Sequence, residues 1–427
     1  MDAARPPGPR GHWLLGNVAD YDRDRIAFLR RNHREHGDVF SFDGRTVLTA
    51  DPRLAHQVLT ATNRDYVTEP PPFAGGVAPR EADETVRSWM RARRVLRPAL
   101  TGAAAAAPDA RTVAILDDVL GRTAGRESDV LPLMLDVTGR AVAGLCLGPD
   151  AAGVPELLAE VHAALLPFEE AALRLPAWLP LPRTRRFLRA HRRLTGTLTA
   201  LITARRATAP GHFPLPGPQP RDLLGVLLGA RPALSDGEVA AALWSVLVGG
   251  HGVPAAALTS LVRELALRPE LAAALAAEAG PPEQAPRAML PLAEAVVRET
   301  LRLTPPAWTM SRIARVPAGL GPWRLRPGDE VLCTPYLIHR DPRWWPRAEE
   351  FDPSRWRDAR PAPGTYLPFG AGPRYCLGSA PALRQLTLAA SRLAQRFRVE
   401  APGAAAAAPA FSGRLAPAGL RAAFHPR

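Results

Sequence analysis

Lysine is absent, so all 54 basic residues are arginine, and against 41 acids they leave a formal charge of +13. A surplus of that size attracts polyanions. No helix-turn-helix, no finger spacing and no basic strand interleaved with aromatics accompanies it, so nucleic acid is not an expected partner. Abundant Ala, Arg and Pro without Lys is the composition of a GC-rich coding sequence. Cysteine is nearly absent too. Cys146, Cys333 and Cys376 are too few and too scattered for a disulfide framework or a zinc site, which points to a reducing compartment and a cytoplasmic location. The first residues, Met1 to Pro7, carry no apolar stretch of the signal-peptide kind, so export is not expected. Long apolar runs are equally scarce. Val239 to Val262 is long enough to cross a bilayer, but Gly249, Gly250, Gly252 and Pro254 interrupt it and Asp236 and Glu238 precede it. It reads as a buried central helix, and no membrane span is expected.

What is present is enough to build a large core: 427 residues, 47% of them hydrophobic. The 47 Pro and 34 Gly are spread along the chain, which excludes global disorder. Ile26 to Arg31 is amphipathic, and Asp38–Phe42 and Thr46–Leu48 read as strands joined by a turn at Asp43-Gly44. From about 110 to 300 the pattern is helical, with Pro-rich breaks near 175–184 and 208–220. After 305 it changes to short strands, turns and aromatic clusters, then one more helix over about 377–397. The expected architecture is mainly α with a small β portion, as one domain over residues 1–427.

The stretch that carries chemistry is Phe369-Gly370-Ala371-Gly372-Pro373-Arg374-Tyr375-Cys376-Leu377-Gly378. Cys376 stands just ahead of the last helix, whose N-terminal dipole and free N–H groups favour a sulfur anion. Gly372 and Gly378 remove side chains where the loop turns and where the helix approaches a flat ligand. Arg374 is a permanently charged donor suited to a carboxylate. Two further pairs share helix faces: Glu299 with Arg302 at i, i+3, and Trp89 with Arg93 at i, i+4. An indole N–H beside a guanidinium suits an anion.

The loop resembles the heme-binding loop of the cytochromes P450, Phe-x-x-Gly-x-Arg-x-Cys-x-Gly, at every specified position. The resemblance implies the P450 fold, with heme b held between a long central helix and the Cys-loop helix, and Cys376 as axial iron ligand. It implies that Phe369, Gly370, Arg374 and Gly378 bind the cofactor and that Trp89, Arg93 and Arg312 contact its propionates. It also implies that Glu299 and Arg302 form a structural charge cluster completed by Arg355, from Phe351-Asp352-Pro353-Ser354-Arg355-Trp356. His339, in Leu337-Ile338-His339-Arg340-Asp341-Pro342, falls in an ordinary family segment and is read as structural.

One region departs from the family. Most members carry a small-Gly-x-acid-Thr run on the central helix, and the acid and hydroxyl deliver protons to bound dioxygen. Aligning Gly249-Gly250-His251 with it puts Gly252 at the acid position and Val253 at the Thr position, and neither relays a proton. Pro254 leaves the Gly250 carbonyl without its helical partner and kinks the axis. Gly250, His251, Gly252 and Val253 are therefore the candidate distal residues; His251 either serves as proton donor or occupies the variable position facing away from the heme. Three readings stay open. The first is a monooxygenase fed with NAD(P)H electrons through a ferredoxin and ferredoxin reductase. The second is a peroxygenase, or a catalyst of coupling, cyclisation or rearrangement. The third is a non-catalytic heme-binding accessory protein. By position in the family, pocket walls fall at Pro70–Val77, Val246–Val253 and Ala307–Met310, including Phe73, Leu247, Trp308 and Met310. These are apolar, which suggests an apolar small-molecule substrate of terpenoid or polyketide type.

Overall fold

The computed structural model describes residues 5–12, 16–68, 79–101, 107–170, 181–208, 222–281, 283–284 and 289–427. Helices α1 (Val18–Arg23) and α2 (Arg25–His36) come first, and the Asp24 carboxylate caps α2 by accepting from the Ala27 N–H at 2.9 Å. Strands β1 (Val39–Ser41) and β2 (Thr46–Thr49) form the expected hairpin. Its turn is fixed by Asp43, which accepts from the amides of Arg45 and Thr46 at 2.7 and 2.6 Å. α3 (Pro52–Thr60), capped by Asp51, and β3 (Tyr66–Val67) follow.

The next stretch is nearly all helix: α4 (Pro79–Thr101), α5 (Ala107–Gly121), a short β4 (Ser128–Asp129), α6 (Val130–Leu147) and α7 (Val154–Glu169). It continues with α8 (Pro182–Thr208), α9 (Leu223–Leu228), α10 (Asp236–Gly249), α11 (Gly252–Leu267), α12 (Pro269–Ala279) and α13 (Pro291–Leu303). α8 starts inside the Pro-rich stretch expected as loop, because a proline at the first helical position gives up only an N–H that has no partner there anyway.

The remainder alternates: β5 (Met310–Ala314), β6 (Ala318–Leu320), β7 (Trp323–Leu325), β8 (Glu330–Cys333), α14 (Pro335–Ile338), α15 (Ser379–Arg396), β9 (Phe397–Glu400), β10 (Pro409–Ser412), β11 (Arg414–Pro417) and β12 (Arg421–Pro426). A five-stranded sheet runs β1-β2-β8-β5-β3, with β2 and β8 parallel and its other neighbours antiparallel. β10 and β11 form a separate hairpin turning at Gly413.

Two large apolar cores meet at α6. One joins α5, α6, α11, α13 and α15 through Leu116, Val137, Leu261, Val297 and Leu393. The other joins α4, α6, α7, α8 and α10 through Leu96, Leu147, Leu158, Leu198 and Leu243. Burial on several sides explains why α6 is apolar nearly all round. Residues 130–151 and 236–267 are both long and apolar enough to cross a membrane by length and composition; only the second was anticipated.

The central helix is two helices. Gly249 and Gly250 are poor helix formers, and Pro254 cannot donate to the Gly250 carbonyl, so α10 ends at Gly249 and α11 restarts at Gly252. Across the break the Ala255 N–H reaches the His251 carbonyl at 3.4 Å, and the Thr138 hydroxyl of α6 donates to that carbonyl at 2.9 Å. Gly250 is needed for packing: a Cβ there would lie 2.6 Å from Val142 Cγ2.

Candidate heme-thiolate site

The Cys376 loop is held by backbone bonds within itself. The Cys376 N–H donates to the Phe369 carbonyl at 2.9 Å, and the Tyr375 N–H to the Gly372 carbonyl at 3.0 Å. Gly370 and Gly372 have φ of +71° and +69°, in the left-handed region that favours glycine. At Gly372 the constraint is doubled, since a Cβ would lie 2.3 Å from the Leu59 carbonyl oxygen at the end of α3. We expect Gly372→Ala to cost about 1–3 kcal/mol for the backbone conformation alone, and more for the clash. A lowered urea midpoint and loss of retained heme on gel filtration check this; unchanged values for both would contradict it.

Cys376 is exposed, yet enough protein surrounds it that burial pushes its thiol up, opposed by the Gly378 N–H and by the Arg93 charge. Beside the Cys376 loop three arginines come close enough for Arg374 to feel the charges of both Arg312 and Arg93. Arg93, on α4, donates to the Tyr375 carbonyl. Arg312, on β5, is 8% exposed and donates from Nε to the Thr62 hydroxyl at 2.8 Å. Arg374 donates from Nε to the Asn63 side-chain oxygen at 3.0 Å. Burial, then the charges of Arg312 and Arg93, pull Arg374 down to about 10. Burial likewise lowers Arg312 and Arg93. Among the described residues Arg312 and Arg374 meet no carboxylate. A buried cationic group without a counter-charge is costly, so the arrangement fits a ligand bringing anionic groups to this face of the Cys loop, as heme brings two carboxylates. Trp89 is half-buried on α4, one helical turn before Arg93. Thr62 and Asn63 carry no motif and could not be found in the sequence; β3 pairing with β5 brings them to Arg312.

Behind the loop, Glu299 and Arg302 of α13 are both fully buried. Glu299 Oε1 and Oε2 accept from Arg302 Nη2 and Nε, each at 2.9 Å. Arg355 Nε, Trp356 Nε1 and the Asp352 N–H also donate to this carboxylate at 2.9 Å. Arg302 in turn donates to the carbonyls of His339, Ala348 and Glu350 at 2.7, 2.6 and 2.9 Å. His339 donates from Nδ1 to the Arg302 carbonyl at 3.1 Å and accepts on Nε2 from the Leu367 N–H at 2.7 Å. That chain of bonds connects α13 to the residue two before Phe369, and burial pulls His339 down to about 3, keeping it neutral. Trp356 was not singled out in the sequence.

At the α10–α11 break, Val253 is 37% exposed. His251 is 3% exposed; its Nε2–H donates to the Leu135 carbonyl of α6 at 3.2 Å, and its ring packs edge-on against His162 of α7 at 5.5 Å. Two of the residues expected along the pocket are packed among other side chains. Leu247 is fully buried in the α8–α10 core, and Trp308 is 4% exposed, stacked with Tyr21 and 4.3 Å from Phe411. Met310 borders the Cys loop, its sulfur 3.3 Å from where a Gly370 Cβ would stand. Phe73, with Pro71 and Pro72, lies outside the described residues.

A cysteine at the mouth of a long helix, flanked by counter-charge-seeking arginines and braced by a buried Glu–Arg–Arg cluster, defines a heme-thiolate protein. The model of the family described as Cytochrome P450 matches residues 6–413, and the chain belongs to that family. It is 32% identical to cyclooctatin synthase of Streptomyces melanosporofaciens, covering 93% of each chain. It is 29% identical to cyclooctat-9-en-7-ol 5-monooxygenase of the same organism, covering 90% of this chain and 87% of that one. A solved structure of a retinoic acid-bound cyanobacterial cytochrome P450 superposes over the whole of both chains with a TM-score of 0.82 at 22% identity, which speaks for the fold. The protein is a P450 heme monooxygenase, an oxidoreductase whose family needs a redox partner.

Proposed function

We propose that the chain oxidises an apolar terpenoid-type small molecule in a tailoring step, with Cys376 as the thiolate ligand of heme b. The observation that carries the reading is the set of guanidiniums beside the Cys376 loop, of which Arg312 is buried and Arg93 and Arg374 are half-buried. Arg93, Arg312 and Arg374 would take the two propionates, with Trp89 beside Arg93, and the Gly378 N–H would hold the sulfur as an anion. Heme, when bound, supplies the iron centre for oxygen activation, and a thiolate pushes electron density that favours O–O cleavage. The protein's own part is to fix the sulfur, neutralise the carboxylates and shape the distal side around Val253.

The terpenoid class is supported by two relatives, one named for cyclooctatin synthesis and one for oxidising cyclooctat-9-en-7-ol. Electrons would come from NAD(P)H through a ferredoxin and ferredoxin reductase in the cytoplasm, an acidic ferredoxin matching the +13 charge. Gly252 and Val253 favour a second reading, in which peroxide is the oxidant or the reaction is a coupling, cyclisation or rearrangement. Reduced wild-type protein under carbon monoxide is expected to show the thiolate-ligated band and Cys376→Ala to lose it. A wild type that binds hemin through nitrogen would refute the reading. Turnover of a cyclic diterpene alcohol with a ferredoxin system, compared with turnover on hydrogen peroxide, separates the two oxidants.

A further inference from the structure

The polar groups missing from the α10–α11 break are present next to it, on other elements. A Cβ built on Gly252 would lie 2.9 Å from Arg414 Cζ, 3.1 Å from Arg414 Nε and 3.0 Å from His162 Cε1. The space a side chain at the acid position would enter is thus filled by a guanidinium from β11 and an imidazole from α7. Arg414 is clamped by Glu169 at the end of α7, Nη1 to Oε2 at 2.9 Å and Nη2 to Oε1 at 3.0 Å. Gly413 permits this closeness, since a Cβ there would lie 2.3 Å from Glu169 Cβ. Two glycines therefore let three elements distant in sequence converge on the break. The pair is neither sealed nor fully wet, with side-chain exposures of 13% for Arg414 and 24% for Glu169.

We infer that the Glu169–Arg414 pair takes the place of the carboxyl group absent from Gly252: Glu169 holds the exchangeable proton and Arg414 positions it at the break. The inference rests on the monooxygenase reading above. Each Glu169 oxygen accepts from one Arg414 nitrogen and keeps a lone pair, and Nη2 keeps a hydrogen with no acceptor among the described residues. Such a pair presents an acceptor and a donor side by side, as a water-borne proton relay requires. In the step proposed, Glu169 Oε takes a proton from solvent at its exposed edge and releases one to water at the break, returning to carboxylate with no net change. Burial pushes Glu169 up while Arg414 opposes it. The neighbouring groups do not compete for this role. His162 is pulled down to about 3 by burial, then by the charges of Arg414 and His251, and His251 to about 4 by burial and Arg414, so both are neutral. Glu170, the residue that follows α7, adds negative charge that raises Glu169 further.

The test uses the heme-loaded full chain with no substrate added, reading ferredoxin-driven oxygen consumption in light and heavy water, together with amide hydrogen exchange at residues 251–256. Glu169→Gln and Arg414→Ala are expected to lower consumption roughly tenfold or more, within the range of a lost general acid, and to enlarge the solvent isotope effect. Glu169→Asp should keep most of the rate. Gly252→Asp combined with Arg414→Ala should recover it, because removing the guanidinium frees the space for a carboxyl on the helix itself. Faster exchange at 251–256 in Arg414→Ala with unchanged oxygen consumption would make the pair a structural clamp and overturn the inference. So would wild-type rates and isotope effects in every variant. A wild type without the thiolate carbon monoxide band would instead overturn the reading on which the inference rests.

Discussion

Glu299→Ala is expected to abolish recovery of folded protein. The substitution removes the acceptor for five donor groups and leaves Arg302 fully buried with no counter-charge. Breaking a buried pair in this way costs about 3–5 kcal/mol, and each orphaned buried donor about 1–3 kcal/mol more. Domains hold only about 5–15 kcal/mol in total. The two contributions share partners and do not simply add, but the lower end of their range already consumes most of that reserve. Glu299→Gln should fall between, because its amide keeps one oxygen acceptor and turns an NH2 toward guanidinium hydrogens. Soluble yield and denaturant midpoint are the measurements. A Glu299→Ala protein that unfolds at the wild-type denaturant concentration would show that the cluster is not what holds α13 to the segment carrying Arg355.

The second large effect is acid lability. Burial is the leading cause that depresses His162, His251 and His339, to about 3, 4 and 3, from an ordinary 6.5. The unfolded chain therefore binds protons at these sites before the folded one does. Their stabilising contribution is fully present above 6.5 and is lost as pH falls from there toward each folded value. Each site costs about 1 kcal/mol over the first pH unit below 6.5 and approaches about 1.4 kcal/mol per unit further down, so the three together remove about 3 kcal/mol over the first unit. His339 has a structural reason to resist protonation: its Nε2 already accepts from Leu367, and a proton there would face an N–H. Melting temperature followed downward from neutral pH should fall steeply, and a His162→Gln/His251→Gln double variant should flatten the slope by about two thirds. A melting temperature insensitive to pH down to 5 would contradict the depressed values.

The distal face shows where a linear reading and the folded chain part company. Gly252 and Val253 were readable as a loss, because absence of an acid and a hydroxyl is a local fact. That Arg414 and Glu169 fill the same space was not readable: they come from elements 162 and 83 residues away in sequence, and neither sits in a motif. The surroundings of Leu247 and Trp308 were unreadable for a related reason. Apolar character says that a side chain seeks burial, not whether a cleft or a core provides it.

The sequence by itself determined the Cys376 loop, the Glu299–Arg302 pair with Arg355, the first hairpin and the interrupted central helix. In each of these the physical cause is local or periodic: glycine at positive φ, helical spacing, a proline without an N–H. Tertiary structure alone decided which arginines lack counter-charges, which partners Arg312 and Arg374 find in Thr62 and Asn63, and what stands beside Gly252. Those outcomes depend on burial and on contacts across hundreds of residues, and desolvation acts on a group only once the rest of the chain has closed around it.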